Sequence, residues 1–352
     1  MEQEKQNLLE MIDRPVFFVR DGIITEANQA AKNRQIPLGD PVESILSEHV
    51  NDYKNYQGGI LYLTLQMGWV RCGAMVMRQG EEDIFLMDRD SDHTKLQALA
   101  LAAQQLRIPL SDVMTLTDSL FPQLEDERQQ MQAAQIRQCL FQLMRMISNM
   151  ADAECYCSTE ITNFENTELR HFFREILDRA QASLEITGTV LRFTCPDKPL
   201  FATIDRERMQ RAVYNLLSNA VKFSPPGSTV EVRLIRSGHM VCLSVEDHGE
   251  GVADHVRSSL FHRYLREPAI EDSRYGMGLG MTLVRSVAAL HGGTVLLEHT
   301  EGTRVTMTMA IRKVTPGTLR SPQIRISDYA GGQDPGLLEF SECLPTSPYE
   351  IK

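Results

Sequence analysis

The sequence predicts an α+β multidomain protein, and three observations carry that expectation. Short apolar runs broken by turn signals fill residues 1–90, helix-spaced apolar positions fill residues 91–158, and helices alternate with strands through residues 159–312. At roughly 150 residues per domain, a chain of 352 residues holds several cores.

In the first region, Pro15–Val19 reads as a strand, Asp21 and Gly22 as a hairpin turn, and Ile23 restarts the strand. Residues 28–33 look helical. Ile60–Leu65, Val70–Val76 and Ile84–Met87 follow as strands, which makes a small unit with an antiparallel sheet. In the second region Leu99, Leu106, Val113 and Leu120 recur every seven residues, and Ile136, Leu140, Leu143, Ile147 and Met150 step by four and three. These spacings put an apolar stripe on each of two helices, connected through Phe121–Glu127. Two helices alone bury too little, so an antiparallel hairpin pairing with a second copy into a four-helix bundle is expected.

In the third region Asp205 can cap a helix running through Met209, Val213, Leu217 and Val221, which the prolines at 225 and 226 end. Strands at Val230–Ile235 and Val241–Val245, a helix near Thr282–Leu290, and strands at Thr294–Glu298 and Arg304–Met309 complete an α/β sandwich. Residues 313–352 form a Pro- and Gly-rich extension, in which Ile324–Ile326 could add an edge strand.

Composition narrows the function classes. Against 36 Lys and Arg stand 47 Asp and Glu, a net charge of −11, which disfavours a nucleic-acid partner. No apolar run reaches the roughly 20 residues that span a bilayer, so no membrane insertion is expected. The first residues lack the layout of a signal peptide, and seven scattered Cys suit reduced thiols; both point to a cytoplasmic location.

Three motifs in the third region carry chemistry. Asn215 and Asn219 lie four apart on one helix face, followed by Lys222; an amide oxygen is a hard ligand suited to Mg²⁺, and a lysine can offset phosphate charge. Asp247, Gly249 and Gly251 follow a strand. A carboxylate there can accept amino hydrogens of an adenine, and the glycines let backbone approach a flat ring. Gly276, Gly278, Leu279 and Gly280 open a helix, where free N–H groups and the helix dipole favour an anion.

In this order the three motifs resemble the N, G1 and G2 boxes of the ATP-binding domain of sensor histidine kinases, a fold shared with chaperone, gyrase and mismatch-repair ATPases. Leu260–Arg266 resembles the F box that begins the lid, with Arg263 inside it, and Gly302 and Thr303 match the closing G-T. The resemblance implies ATP and Mg²⁺ as cofactors. It implies that Asp247 reads adenine, that Asn219 holds the metal and that the G2 glycines cradle phosphates. Chaperone-type members carry a water-activating Glu where this chain has Asn215, so the resemblance implies poor hydrolysis and fits the kinase branch. Residues 1–90 resemble a PAS sensor domain, notably at Val16–Ala31.

The hairpin departs from the family. Where the acceptor box reads S-H-E-L-R-T-P-L, residues 103–110 read AQQLRIPL. Gln104 stands at the phospho-acceptor histidine, Gln105 at the acid that takes its proton, and Ile108 at the residue that positions water. An amide is not a useful nucleophile at neutral pH. Pro109 is retained, although a proline inside a helix costs about 3 kcal/mol. On the heptad that starts at Leu99, Gln104 faces away from the stripe. The expectation is a homodimeric, ATP-binding pseudokinase of a two-component system, partnered by a response regulator or another histidine kinase. The alternative is an active kinase that phosphorylates an atypical residue or a partner protein.

Overall fold

A computed structural model describes residues 12, 14–88, 90–155, 163–249, 279–311 and 333–350. Gly251, Arg263, Gly276, Gly278 and the edge strand expected at 324–326 lie outside the described residues.

The N-terminal unit contains strands β1 (Val16–Arg20), β2 (Ile23–Ala27), β3 (Ile60–Met67), β4 (Val70–Gln79) and β5 (Glu82–Met87), with short helices α1 (Gln29–Asn33), α2 (Glu43–Leu46) and α3 (Val50–Lys54). Asp21 and Gly22 turn the first hairpin with φ of 51° and 75°, the left-handed pair that a tight hairpin needs. The continuous apolar runs in β1 and β3 have a physical reason: both faces of this sheet are buried. Phe17, Val19, Leu61, Leu63 and Phe85 pack with Ile24, Ala31, Ile45 and Leu46, while Val16, Phe18, Ile60, Tyr62 and Leu86 on the other face join the main core of the molecule.

Two long helices follow, α4 (Asp90–Leu120), with Pro109 inside it, and α5 (Glu127–Cys155). The seam between them differs from the expected stripe. Ala103, Leu110 and Met114 of α4 are buried with Ala134, Leu140, Phe141, Met144 and Ile147 of α5. Leu106, Val113 and Leu120, with Ile136 and Leu143, are exposed on the single chain. The alanines let the helices approach closely, so the larger heptad leucines stay outside the seam.

The remaining elements are β6 (Phe164–Glu168), α6 (Leu169–Leu184), β7 (Val190–Thr194), β8 (Phe201–Asp205), α7 (Arg206–Phe223), β9 (Thr229–Ser237), β10 (Met240–Glu246), α8 (Leu279–Leu290), β11 (Val295–His299), β12 (Thr303–Ala310) and α9 (Pro335–Glu339). The Asp205 side chain caps α7 by accepting from the Arg208 N–H at 3.1 Å. Ser224, held extended ahead of Pro225, stops that helix. Alternate residues of β9, β10 and β12 (Val230, Val232, Val241, Leu243, Val305, Met307) face the helices, meeting Phe173, Ile176, Val213, Leu217, Val284 and Val287.

Three features have no counterpart in the sequence pattern. Strand β7 pairs in parallel with β9, and β6 pairs with β8 as a separate two-stranded sheet. Second, Ile60, Leu61 and Tyr62 of β3 pair antiparallel with Leu297, Leu296 and Val295 of β11, so one ten-stranded sheet runs in the order β2-β1-β5-β4-β3-β11-β12-β10-β9-β7. Beside that joint Arg285 of α8 reaches Asp88 at 3.2 Å and lies over the Tyr62 ring at 4.4 Å. Third, residues 333–350 fold against α5, α6 and α7, burying Leu338, Phe340, Leu344 and Tyr349. Among the described residues, no helix is long and apolar enough to cross a membrane.

Candidate nucleotide site

Strand β10 delivers Asp247 to a buried turn, where only 6% of its surface is exposed. Its Oδ1 accepts two backbone hydrogen bonds, from Gly249 at 2.9 Å and from Thr303 at 3.2 Å. The Asp247 N–H donates to the Thr303 carbonyl at 2.9 Å, so the turn and the start of β12 are tied twice. Burial pushes the Asp247 carboxyl above its ordinary value, against the opposing pull of those two N–H groups. Among the described residues, Oδ2 accepts no hydrogen bond.

The glycines around this turn are there for space. A Cβ on Gly249 would stand 2.1 Å from the Phe223 carbonyl oxygen at the end of α7. A Cβ on Gly302 would stand 2.1 Å from the Asp247 carbonyl oxygen. Three backbones therefore meet where no side chain fits.

Helix α7 supplies the neighbouring wall. Asn215 is buried, donates through Nδ2 to the Arg211 carbonyl at 3.0 Å, and has its oxygen covered by α8, since a Cβ on Gly280 would stand 2.6 Å from it. Asn219 is half-buried one turn further on, and Leu279 and Gly280 open α8. Lys222 is half-buried and donates to Glu342 of the C-terminal segment at 2.5 Å. The fold thus sets Asn215 of α7 against Gly280 of α8, and the end of α7 against Gly249 of the Asp247–Thr303 turn, with Asn219 and Lys222 on the helix between those two contacts. Gln104 and Gln105 belong to a different element and are exposed on α4.

The sequence reading missed a second polar cluster, which joins α7 to α5 and to the C-terminal segment. Arg145 of α5 and Arg211 of α7 both hold Glu339, at 3.3 and 2.9 Å, and Glu339 is fully buried. Arg145 also donates to Ser218 at 2.8 Å, and Arg211 pairs with Asp152 at 2.6 Å. The one available signal was the apolar spacing of Leu337, Leu338, Phe340 and Leu344 within a Pro-rich tail.

Comparison with known proteins gives a family match over the residues that build this candidate site. Residues 204–313 match the family model described as histidine kinase-, DNA gyrase B-, and HSP90-like ATPase. The chain is 24% identical over 226 residues to the sensor protein KdpD of Clostridium acetobutylicum, covering 61% of this chain and 24% of that protein. It is 29% identical over 213 residues to the sensor histidine kinase CusS of Escherichia coli, covering 59% of this chain and 44% of that one. Full-length ShkA, solved in complex with AMPPNP, has a TM-score of 0.50 and 21% identity over 62% of this chain and 47% of its own, a likeness that shows the fold. The chain spans less than half the length of each of these proteins. Residues 204–313 thus carry the match to the ATPase family of histidine kinases, gyrase B and HSP90, and over about 60% of its length the chain is similar to sensor histidine kinases.

Proposed function

We propose that this chain is a cytoplasmic two-component signalling protein that binds Mg-ATP and does not phosphorylate itself at the usual hairpin position. The observation that carries the nucleotide half is the Asp247 carboxylate. One oxygen is pinned by two backbone N–H groups, and the other accepts nothing among the described residues. That arrangement suits an acceptor for an adenine amino group. The crowded backbones at Gly249 and Gly302 suit a flat ring lying against the turn.

In this reading Asn219 holds Mg²⁺, Lys222 and Arg263 face phosphate, and Gly251, Gly276, Gly278, Leu279 and Gly280 shape the phosphate loop. Thr303 orients Asp247. Asn215 joins α7 to α8 and sets where the loop begins. Bound Mg-ATP would supply a transferable phosphoryl group.

The hairpin half rests on Gln104 and Gln105. Both are exposed on α4 where a partner domain could reach them, yet neither offers the lone pair or the base that phosphoryl transfer to a histidine needs. The exposed stripe of Leu106, Val113, Leu120, Ile136 and Leu143 supports pairing with a second copy of the chain. The output is then a nucleotide-dependent contact with a response regulator or another histidine kinase.

Incubation with ATP labelled in the γ-phosphate and Mg²⁺, run beside Gln104→His, tests both halves. The expected result is no label on the wild type and label on Gln104→His. Label on the wild type would overturn the pseudokinase reading, and its stability to acid and base would identify the acceptor chemistry. Failure to bind Mg-ATP at about millimolar concentration would overturn the nucleotide reading.

A further inference from the structure

We propose that residues 333–350 are an intramolecular strap that holds the ATPase domain against the hairpin and competes with nucleotide phosphate for Lys222. The competition rests on the Mg-ATP reading above; the holding role does not. Three layers of contact define the strap. Apolar anchors come first: Phe340 packs edge-on against Tyr214 of α7 at 5.9 Å, and Tyr349 against Phe141 of α5 at 5.2 Å. The backbone is then read by hairpin side chains. Gln138 donates to the Ser341 and Leu344 carbonyls at 3.1 and 2.8 Å, and Gln142 donates to Ser341 at 3.0 Å.

The third layer is ionic. Glu339 bridges Arg145 of the hairpin to Arg211 of the ATPase domain. Glu342 lies 3.5 Å from Arg145 and 2.5 Å from Lys222. Three cations (Arg145, Arg211, Lys222) thus meet three carboxylates (Asp152, Glu339, Glu342), so the cluster is electrically balanced without a ligand. Only Lys222 belongs also to the candidate nucleotide site. A phosphate that draws its ammonium away leaves Glu342 facing Arg145 alone and loosens the strap's hold on α7. Conversely, a seated strap keeps the Lys222 charge occupied and weakens phosphate binding. The ATPase domain is then free to leave the hairpin chiefly when nucleotide is bound.

The test uses the full chain and the variant Glu342→Gln, which keeps the volume and removes the charge. Two quantities are read: Mg-ATP affinity by titration calorimetry, and amide hydrogen exchange of residues 335–344 with and without Mg-ATP. In the wild type, Mg-ATP is expected to speed exchange in the strap. In Glu342→Gln, exchange is already fast without nucleotide, and affinity rises about 3- to 10-fold, the range set by a partly exposed charge pair. Unchanged affinity together with unchanged exchange in Glu342→Gln would overturn the strap. Faster exchange in the variant, with Mg-ATP undetectable in both proteins, would keep the holding role, end the competition and reject the nucleotide reading.

Discussion

Two buried carboxylates, Asp247 and Glu339, sit beside α7, and their neighbours differ. Asp247 is held by two backbone N–H groups on one oxygen, with no cation among its hydrogen-bond partners in the described residues. Glu339 is held on both oxygens by two guanidinium groups. A carboxylate neutralised by dipoles keeps acceptor capacity for something that arrives later. One saturated by two cations has no such capacity and serves to join elements. Burial alone therefore does not identify a binding carboxylate; the nature of its partners does.

The sharpest way to break this comparison is to remove each carboxylate and read stability and binding separately. Glu339→Ala leaves Arg145 with Glu342 and Arg211 with Asp152 but strips both of their fully buried partner, and is expected to cost about 3–5 kcal/mol in urea unfolding. A loss under about 1 kcal/mol would mean that Glu339 is not the joint described here. Asp247→Asn should reverse the pattern. It keeps the shape of the turn, so unfolding should change little, while Mg-ATP affinity falls on the order of 100-fold through loss of a charged acceptor. If Asp247→Asn unfolded easily and still bound nucleotide, the assignment of the two roles would be inverted.

A smaller change probes the turn itself. Gly249→Ala places a methyl against the Phe223 carbonyl, a backbone atom that cannot rotate away. The expected cost is about 1–3 kcal/mol, the range for overpacking, with weaker Mg-ATP binding because Asp247 moves with the turn. Normal stability and binding in this variant would show that α7 and the turn are not locked together. The same variant would then remove the spatial reason given for a glycine at this position.

The two regions also differed in how far the sequence revealed them. The Asp247 turn was legible because each of its parts carries its own short signal: a strand followed by Asp-x-Gly, and further along the chain a Gly-Thr pair at the last strand. Each part is a short-range signal with a geometric cause. The Glu339 joint was not legible, because Arg145 and Glu339 stand 194 residues apart and salt bridges leave no periodic trace. The same holds for the pairing of β3 with β11, since an edge strand that finds a partner has the same alternation as one that does not. The hairpin lies between these cases. Its two helices were plain from the spacing, yet Leu106 and Val113 turned outward while Ala103 and Leu110 formed the seam. A heptad of leucines marks an apolar face without saying whether the same chain or a second copy covers it.

The finest test is the pH dependence of the carboxylates beside α7, because their charged forms are affected in opposite senses. Burial raises the Asp247 carboxyl above its ordinary value. The native state therefore holds that proton longer than the unfolded chain does, and stability falls as pH rises from the ordinary aspartate range through the folded value. Burial also opposes the charge of Glu342. There the hydrogen bond from Lys222 and the charges of Arg145 and Lys222 outweigh it, so its carboxyl lies below the ordinary range. The stability it contributes is present above the ordinary glutamate value and lost as pH falls through the folded one. Unfolding free energies of wild type, Asp247→Asn and Glu342→Gln, measured from about pH 3 to about pH 7, should diverge with opposite slopes. Relative to wild type, Asp247→Asn should gain stability as pH rises and Glu342→Gln should lose it. Parallel curves would mean that the two groups share one kind of environment. A gain for Glu342→Gln at neutral pH would mean that the Lys222 pair strains the strap instead of securing it.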